Sequence, residues 1–286
     1  MEEWKYMEAI DAMTERRSVR SFSDRKIPEE VLARILKAGL HAASGGNLQP
    51  WSVIVERDPE RSEKLGKLLK YPFVEKAPVN LLFLLDWHKL AVYSRCKKAP
   101  FAEHLSTNHF FIAWDDTVLS AQAMETAAWL SGIGSCFIGH IMDCSEELKQ
   151  MYHLPALTFP ALLLSMGYPK KMPPKPRKLT KEMMIFEGVY PDFTDEEIIA
   201  AYDRKYENTE IAFSDTTSAG KSRIDLFRQS LLAVYREEEA EQILREALER
   251  GYLTEIQRLF GIHYHPGTEI GGDLPERLRN QGLFPF

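Results

Sequence analysis

Apolar and polar positions divide the first two thirds of the chain into distinct elements. Tyr6 to Arg17 reads as a helix that feeds a cluster of arginines. Pro28-Glu29-Glu30 opens a second helix, with Pro in its first turn and two acids where the helix dipole favours them. That helix carries Val31, Ile35, Leu36, Ala38 and Gly39 at helical spacing and ends near His41. Trp51 to Val55 predicts a strand, Val79 to Leu85 a longer and more apolar one, and Phe159 to Met166 a third. An apolar strand of that length is buried on both faces, which requires helices packed on either side. Asp116 to Ser131 predicts a buried helix, because Val118, Ala121, Ala123, Met124, Ala127, Ala128 and Leu130 leave little polar surface. Helices and strands do not alternate regularly, so the expected class is α+β.

Trp87 to Asp115 shows no such period, yet it carries Trp87, Tyr93, Phe101, Phe110, Phe111 and Trp114. A long irregular segment in a compact domain is commonly a lid or a binding loop, and helical core or a dimer contact is the alternative. Beyond about residue 190 the pattern changes. Asp195 to Glu207 and Ser222 to Arg250 read as helices, the latter with Ile224, Phe227, Leu231, Val234 and Tyr235 on one face and Gly251 as its stop. A short helix from Tyr252 to Phe260 and a Pro/Gly-rich tail ending Leu283-Phe284-Pro285-Phe286 complete the chain. Residues 1–190 therefore read as one domain and 191–286 as a helical C-terminal extension. Without strands, such an extension is expected to pack on the core or on a second subunit.

Composition narrows the function. The chain has 286 residues, 44% of them hydrophobic, enough for a sizeable core in one or two domains. A net charge of −6 argues against nucleic acid as a partner. The longest apolar runs are too short to span a bilayer, so no membrane partner is expected. Cys96, Cys136 and Cys144 form no even framework and no C-x-x-C, which suits reduced thiols in the cytoplasm. The acidic, polar opening Met1-Glu2-Glu3-Trp4-Lys5 predicts no secretory leader. A cytoplasmic protein acting on a small molecule is the expectation.

Two segments suggest which molecule. Arg16-Arg17-Ser18-Val19-Arg20 packs three guanidinium groups and a hydroxyl into five residues, which suits a doubly charged phosphate. Ser44-Gly45-Gly46-Asn47-Leu48-Gln49-Pro50-Trp51 is a small-residue loop opening onto a strand. Its glycines allow close backbone approach to a flat ligand, and its amides offer donors and acceptors to a polar edge. Together they describe a ligand with a phosphate tail and a planar, hydrogen-bonding head.

These segments, with Gly132-Ile133-Gly134-Ser135-Cys136-Phe137-Ile138-Gly139 and with Met166-Gly167-Tyr168-Pro169 leading to Lys175-Pro176-Arg177, resemble the nitroreductase-like FMN-dependent oxidoreductase family. Four segments in the right order span roughly Ala9 to Gly188. The resemblance implies a mostly antiparallel central sheet flanked by helices, in an intertwined homodimer with two FMN sites at its interface. It implies phosphate contacts from Arg16, Arg20, Lys175 and Arg177, and contacts of Arg17 and Ser18 with the phosphate or the ring edge. It places Ser44, Gly45 and Asn47 in a loop that reaches the flavin ring of the neighbouring subunit, and Ile138 and Gly139 where a backbone amide meets flavin N5. It implies no catalytic side chain: NADH or NADPH reduces the flavin, and a nitroaromatic, quinone or conjugated carbonyl acceptor reoxidises it. Dehalogenating or dehydrogenating relatives exist, and a non-catalytic flavin electron carrier is the rival from another class. On the residues alone, Asn47 also suits a left-handed turn, Gly139 close packing at a strand start, and the arginines a solvated helix end.

Other motifs carry less. Gly220-Lys221-Ser222 lacks the upstream glycine of a phosphate loop, where Asp215 stands. His263-Tyr264-His265 reads as a surface turn rather than a metal site, and Glu237-Glu238-Glu239 as a solvated helix face.

Overall fold

The computed structural model describes residues 2–207, 209–213, 222–264 and 274–283 and divides into two units, Met1–Lys175 with Gly271–Phe286, and Pro176–Ile270. The first is built on four antiparallel strands, β1 (Trp51–Glu56), β2 (Val79–Asp86), β3 (Gly134–Ile138) and β4 (Thr158–Gly167), in the order β1-β2-β4-β3. β2 and β4 are the central strands, and every position of both is buried. Their side chains feed two cores, as strands apolar on both faces must.

Helices α1 (Glu2–Thr14), α2 (Glu29–Leu40), α3 (Pro59–Leu69), α4 (Pro72–Glu75), α5 (His88–Lys97), α6 (Thr107–Leu130) and α7 (Ser145–Tyr152) surround this sheet. One core joins Leu81, Phe83 and Leu164 of the sheet to Ile35 of α2 and Ala121, Met124 and Ala128 of α6. The other joins Leu82, Leu84 and Leu163 to Leu65 of α3, Val74 of α4 and Leu148 of α7. The α+β class is as the sequence pattern predicts, and the antiparallel sheet is as the resemblance implies.

Three expectations need correction in this unit. Trp87 to Asp115 is not irregular: it contains α5, a 3-10 turn at Glu103–Leu105 and the first turns of α6. Ser106 caps α6 by accepting a hydrogen bond from the His109 amide, so the helix starts well before Asp116. The apolar residues of its first turns point two ways, which hides the period: Phe110 and Ala113 are buried while Phe111 and Ile112 are exposed. β3 was not among the predicted strands, because Gly134-Ser135-Cys136 lacks apolar alternation. The tail also has structure: a helix over Leu274–Asn280 sends Leu278, and the residues just after it send Leu283, into a third core with Leu85, Trp87, Phe110 and Phe159.

In the second unit, α8 (Asp195–Tyr206) starts at a capping box between Thr194 and Glu197. The predicted helix from Ser222 to Arg250 is two helices, α9 (Arg223–Leu232) and α10 (Glu237–Arg250), with a turn at residues 233–236. The turn folds Phe227 and Leu231 onto Ala240, Leu244 and Ala247, and leaves Val234 and Tyr235 exposed instead of on a buried face. Tyr252 to Phe260 begins as a strand: β5 (Glu210–Ala212) pairs with β6 (Tyr252–Thr254), and a short α11 (Glu255–Arg258) follows. The extension therefore has strands and a core of its own. The unit boundary lies at Lys175/Pro176 rather than near residue 190, and the terminal helix, α12 (Leu274–Asn280), belongs to the first unit.

The terminal helix yields a test. Leu278→Ala opens a cavity in the third core, and we expect it to destabilise the protein by about 2–3 kcal/mol in urea unfolding. A change near zero would mean that this helix adds nothing to the stability of the first unit.

Candidate functional site

The arginine segment is laid directly along β3. The indole Nε1 of Trp129 donates to the Ala12 carbonyl at 2.6 Å and ties the end of α1 to α6. Beyond α1, the Val19 amide donates to the Ser135 carbonyl at 2.8 Å, and Ser18 forms a parallel bridge with Ser135. Gly134 permits the approach, since a Cβ on it would lie 2.6 Å from Val19 Cγ2. Val19 is fully buried, so the residues flanking it are fixed in place.

Each arginine then meets a different environment. Arg16 Nε contacts the Glu125 carboxylate at 3.1 Å, and Glu125 is 1% exposed. The same carboxylate accepts from Ser135 Oγ at 3.0 Å and from Gln122 Nε2 at 2.9 Å. Arg17 donates to the Pro173 carbonyl at 3.0 Å and to Glu15 at 3.0 Å, so its fork is occupied within the fold. Lys175 Nζ contacts Glu15 at 2.6 Å, and the Glu15 carboxyl is held below its ordinary range, first by Lys175 and then by Arg17. Arg20 is exposed. The Cys136 thiol of β3 is pushed up by burial, which outweighs the opposite pull of Arg20, Arg16 and Ser18. Arg16, Ser18, Arg20 and Cys136 therefore share one locality, with Lys175 joined to it through Glu15. Arg177 lies in the second unit, donating to Glu207 at 2.9 Å and to the Arg204 carbonyl at 3.2 Å.

The loop is held from α6. Gly45–Asn47 is a 3-10 turn, and Gly46 and Asn47 adopt φ of 57° and 55° in the left-handed region, where Gly and Asn are tolerated best. The Gly45 amide donates to both oxygens of Asp116 at 3.0 and 3.1 Å, and Ser44 Oγ accepts from the Gln49 amide at 3.3 Å. Asn47 and Leu48 are exposed at its tip. At the end of β3, Ile138 is buried, whereas Gly139 is exposed and a Cβ on it would meet nothing within 4 Å. Its backbone is open to a ligand.

The sequence model of the nitroreductase family matches residues 13–168, more than half of the chain, and takes in the arginine segment, the Ser44–Asn47 loop, α6 and β3. The chain belongs to the nitroreductase family. Similar to this family member is an FMN reductase (NADPH) of Bacillus subtilis, 29% identical over 189 residues that make up 65% of this chain and 76% of the relative. Nitroreductase A of Vibrio parahaemolyticus is 28% identical, with a TM-score of 0.65 over 70% of this chain and 84% of its own. A Bacteroides fragilis protein of known structure, 26% identical, superimposes with a TM-score of 0.76 over 96% of this chain and 99% of its own. That coverage includes the C-terminal region, for which the sequence motifs offer no counterpart.

Three carboxylates of this nitroreductase-family site, Glu15, Asp116 and Glu125, escape a reading of sequence pattern. The signal for Glu125 is its setting: a charge between Ala121, Met124 and Ala128, on a helix stripe that is otherwise buried. Asp116 gives the same signal among Ala113, Thr117 and Ser120. Among the described residues no group of three metal-ligating side chains exists, and His265 of the His263 pair lies outside them. No helix among the described residues is long and apolar enough to cross a membrane.

Asp116 gives a pH-dependent test. Burial pushes its carboxyl up, the bond from Gly45 opposes that shift, and Asp115 adds to the rise. A carboxyl with a higher pKa folded than unfolded holds more protons in the fold. Stability therefore declines as pH rises from the unfolded value of about 4 through the raised one. Asp116→Asn keeps an oxygen for the Gly45 amide and cannot titrate. The native protein should lose thermal stability relative to this variant as pH rises above about 4. Melting curves that run parallel over that range would show that Asp116 titrates as it does in the unfolded chain.

Proposed function

We propose that this chain is an FMN-dependent oxidoreductase that takes two electrons from NADH or NADPH and passes them to a small electron-poor acceptor of nitroaromatic, quinone or conjugated carbonyl type. The observation that carries the reading is the Arg16–Arg20 segment fixed along β3. Arg16 engages Glu125 through Nε alone, which leaves its two terminal nitrogens uncommitted among the described residues. With the exposed Arg20 and the Ser18 hydroxyl, they form a donor set suited to a phosphate dianion. Lys175 adds a cation held beside this segment by Glu15. The family resemblance adds Arg17 more weakly, since its fork is engaged by Glu15 and Pro173.

At the other end of the ligand, the open backbone of Gly139, next to the buried Ile138, suits the edge of a flat ring. Ser44, Gly45 and Asn47 supply a second polar edge. The relative named FMN reductase (NADPH) supports both the cofactor and the reductant. When bound, the flavin supplies the two-electron chemistry. The protein holds its phosphate, presents backbone donors to its ring and shapes access, and no side chain is assigned as a catalytic residue. Cys96, Cys136 and Cys144 are free thiols, as suits the reducing cytoplasm.

We read the protein as a homodimer, because α6 presents an apolar face to solvent. Phe111 is 58% exposed and Leu119 49%, and Leu48 at the loop tip is 48% exposed. Contiguous exposed apolar surface of this kind marks an interface. A second subunit on this face would receive the Ser44–Asn47 loop at its own flavin.

Purified protein should be yellow and carry one non-covalent FMN per subunit. NADPH or NADH should bleach it anaerobically, and a nitroaromatic or quinone should restore the colour. Colourless protein that cannot be reconstituted with FMN, or protein that takes riboflavin equally well, would count against the phosphate site. Bleaching without reoxidation by any such acceptor would count against the acceptor class. Subunit exchange between an Arg16→Ala protein and an Asn47→Ala protein should regenerate sites with all native residues. A monomer that binds FMN in sedimentation would overturn the shared-site reading.

A further inference from the structure

Glu125 is more deeply buried than any residue proposed to hold the phosphate. A carboxylate withdrawn from water to 1% exposure is unfavourable unless charged and hydrogen-bonding partners replace that water. Its partners come from three elements: Arg16 beyond α1, Ser135 on β3 and Gln122 one turn earlier on α6. Ser135 is the residue whose carbonyl receives the Val19 amide, so Glu125 grips the same point of β3 on which the arginine segment rests. The Trp129–Ala12 bond fixes the backbone just before Arg16, one turn further along α6. Arg16 is thus held at both ends: its main chain by α1 docking on α6, and its Nε by an ion pair at 3.1 Å with a buried carboxylate.

We propose that Glu125 is the positioning residue of the phosphate site: it fixes the plane of the Arg16 guanidinium, so that the terminal nitrogens meet the cofactor's phosphate already oriented. A free arginine side chain gives up considerable rotamer freedom when it is immobilised, and one already held gives up less on binding. The inference rests on the reading of Arg16 as a phosphate ligand. A carboxylate this close also repels the phosphate, so replacing Glu125 alone mixes a loss of order with a gain in attraction. A double-mutant cycle separates the two, because the repulsion is common to both arms of the comparison.

The measurement is the ratio of FMN to riboflavin affinity in full-length protein stripped of flavin, since riboflavin lacks the phosphate and reports ring binding alone. In the native background, Arg16→Ala should lower this ratio roughly 10- to 100-fold, the worth of one charge-assisted contact. In a Glu125→Ala background it should lower the ratio by less than about threefold. Glu125→Gln keeps an oxygen at this place but not the charge of the ion pair, so it should restore part of the native effect of Arg16. If Glu125→Ala does not fold, Glu125→Asp serves, since its shorter side chain withdraws the oxygen and should also diminish the effect. Equal effects of Arg16→Ala in the native and Glu125-substituted backgrounds would overturn the positioning role and leave the phosphate reading intact. An Arg16→Ala ratio unchanged in the native background would overturn both.

Discussion

One backbone hydrogen bond, from the Val19 amide to the Ser135 carbonyl, decides where the candidate site stands. It joins a segment with no regular structure to the edge strand of a sheet whose two central strands are wholly buried. The bond can form only because Gly134 has no side chain to hold Val19 away. Once Val19 is seated, Ser18 and Arg20 are placed on either side of it, and Arg16 is brought within reach of α6. Sterics at a glycine thus set the electrostatics of an arginine cluster.

Helix α6 is the second support. Its apolar stripe packs on the sheet through Ala121, Met124 and Ala128, and two buried carboxylates interrupt that stripe. Each meets a different part of the site: Asp116 takes the Gly45 amide of the loop, and Glu125 takes Arg16. Buried carboxylates are poor choices for stability alone, and both of these bind groups outside their own helix. Because one rigid helix carries both, a displacement of α6 would disturb the loop and the arginine segment together.

The sheet and the arginine cluster were legible in the sequence for physical reasons. β2 and β4 are apolar along almost their whole length, which few other structures tolerate, and three arginines in five residues form an unusual charge density. β3 was not legible because its small and polar residues owe their burial to what packs over them. The break between α9 and α10 was hidden because both halves keep helical spacing and no Pro or Gly marks the turn at residues 233–236. The engagement of Arg17 by Pro173 and of Arg16 by Glu125 joins residues more than a hundred positions apart, which no local pattern encodes. Composition suggested the chemistry of the donors, and only the fold distinguishes the arginine that is spent internally from the one with nitrogens to spare.

The strand order also has a consequence for how the chain reaches its fold. β2 pairs with β1, made shortly before it, and with β4, which follows only after α5, α6, β3 and α7. During synthesis the β1–β2 pair, joined through α3 and α4, can therefore form early, while the other edge of β2 waits for its partner. That edge reads Val79-Asn80-Leu81-Leu82-Phe83-Leu84-Leu85, with no charge before Asp86 at its end to discourage pairing with another chain. Pairing of strands distant in sequence is slow because a long loop must close first. The interval before β4 arrives is thus the one in which nascent chains are most exposed to aggregation, and the sheet that gives the finished protein its rigid frame is also its main hazard in folding.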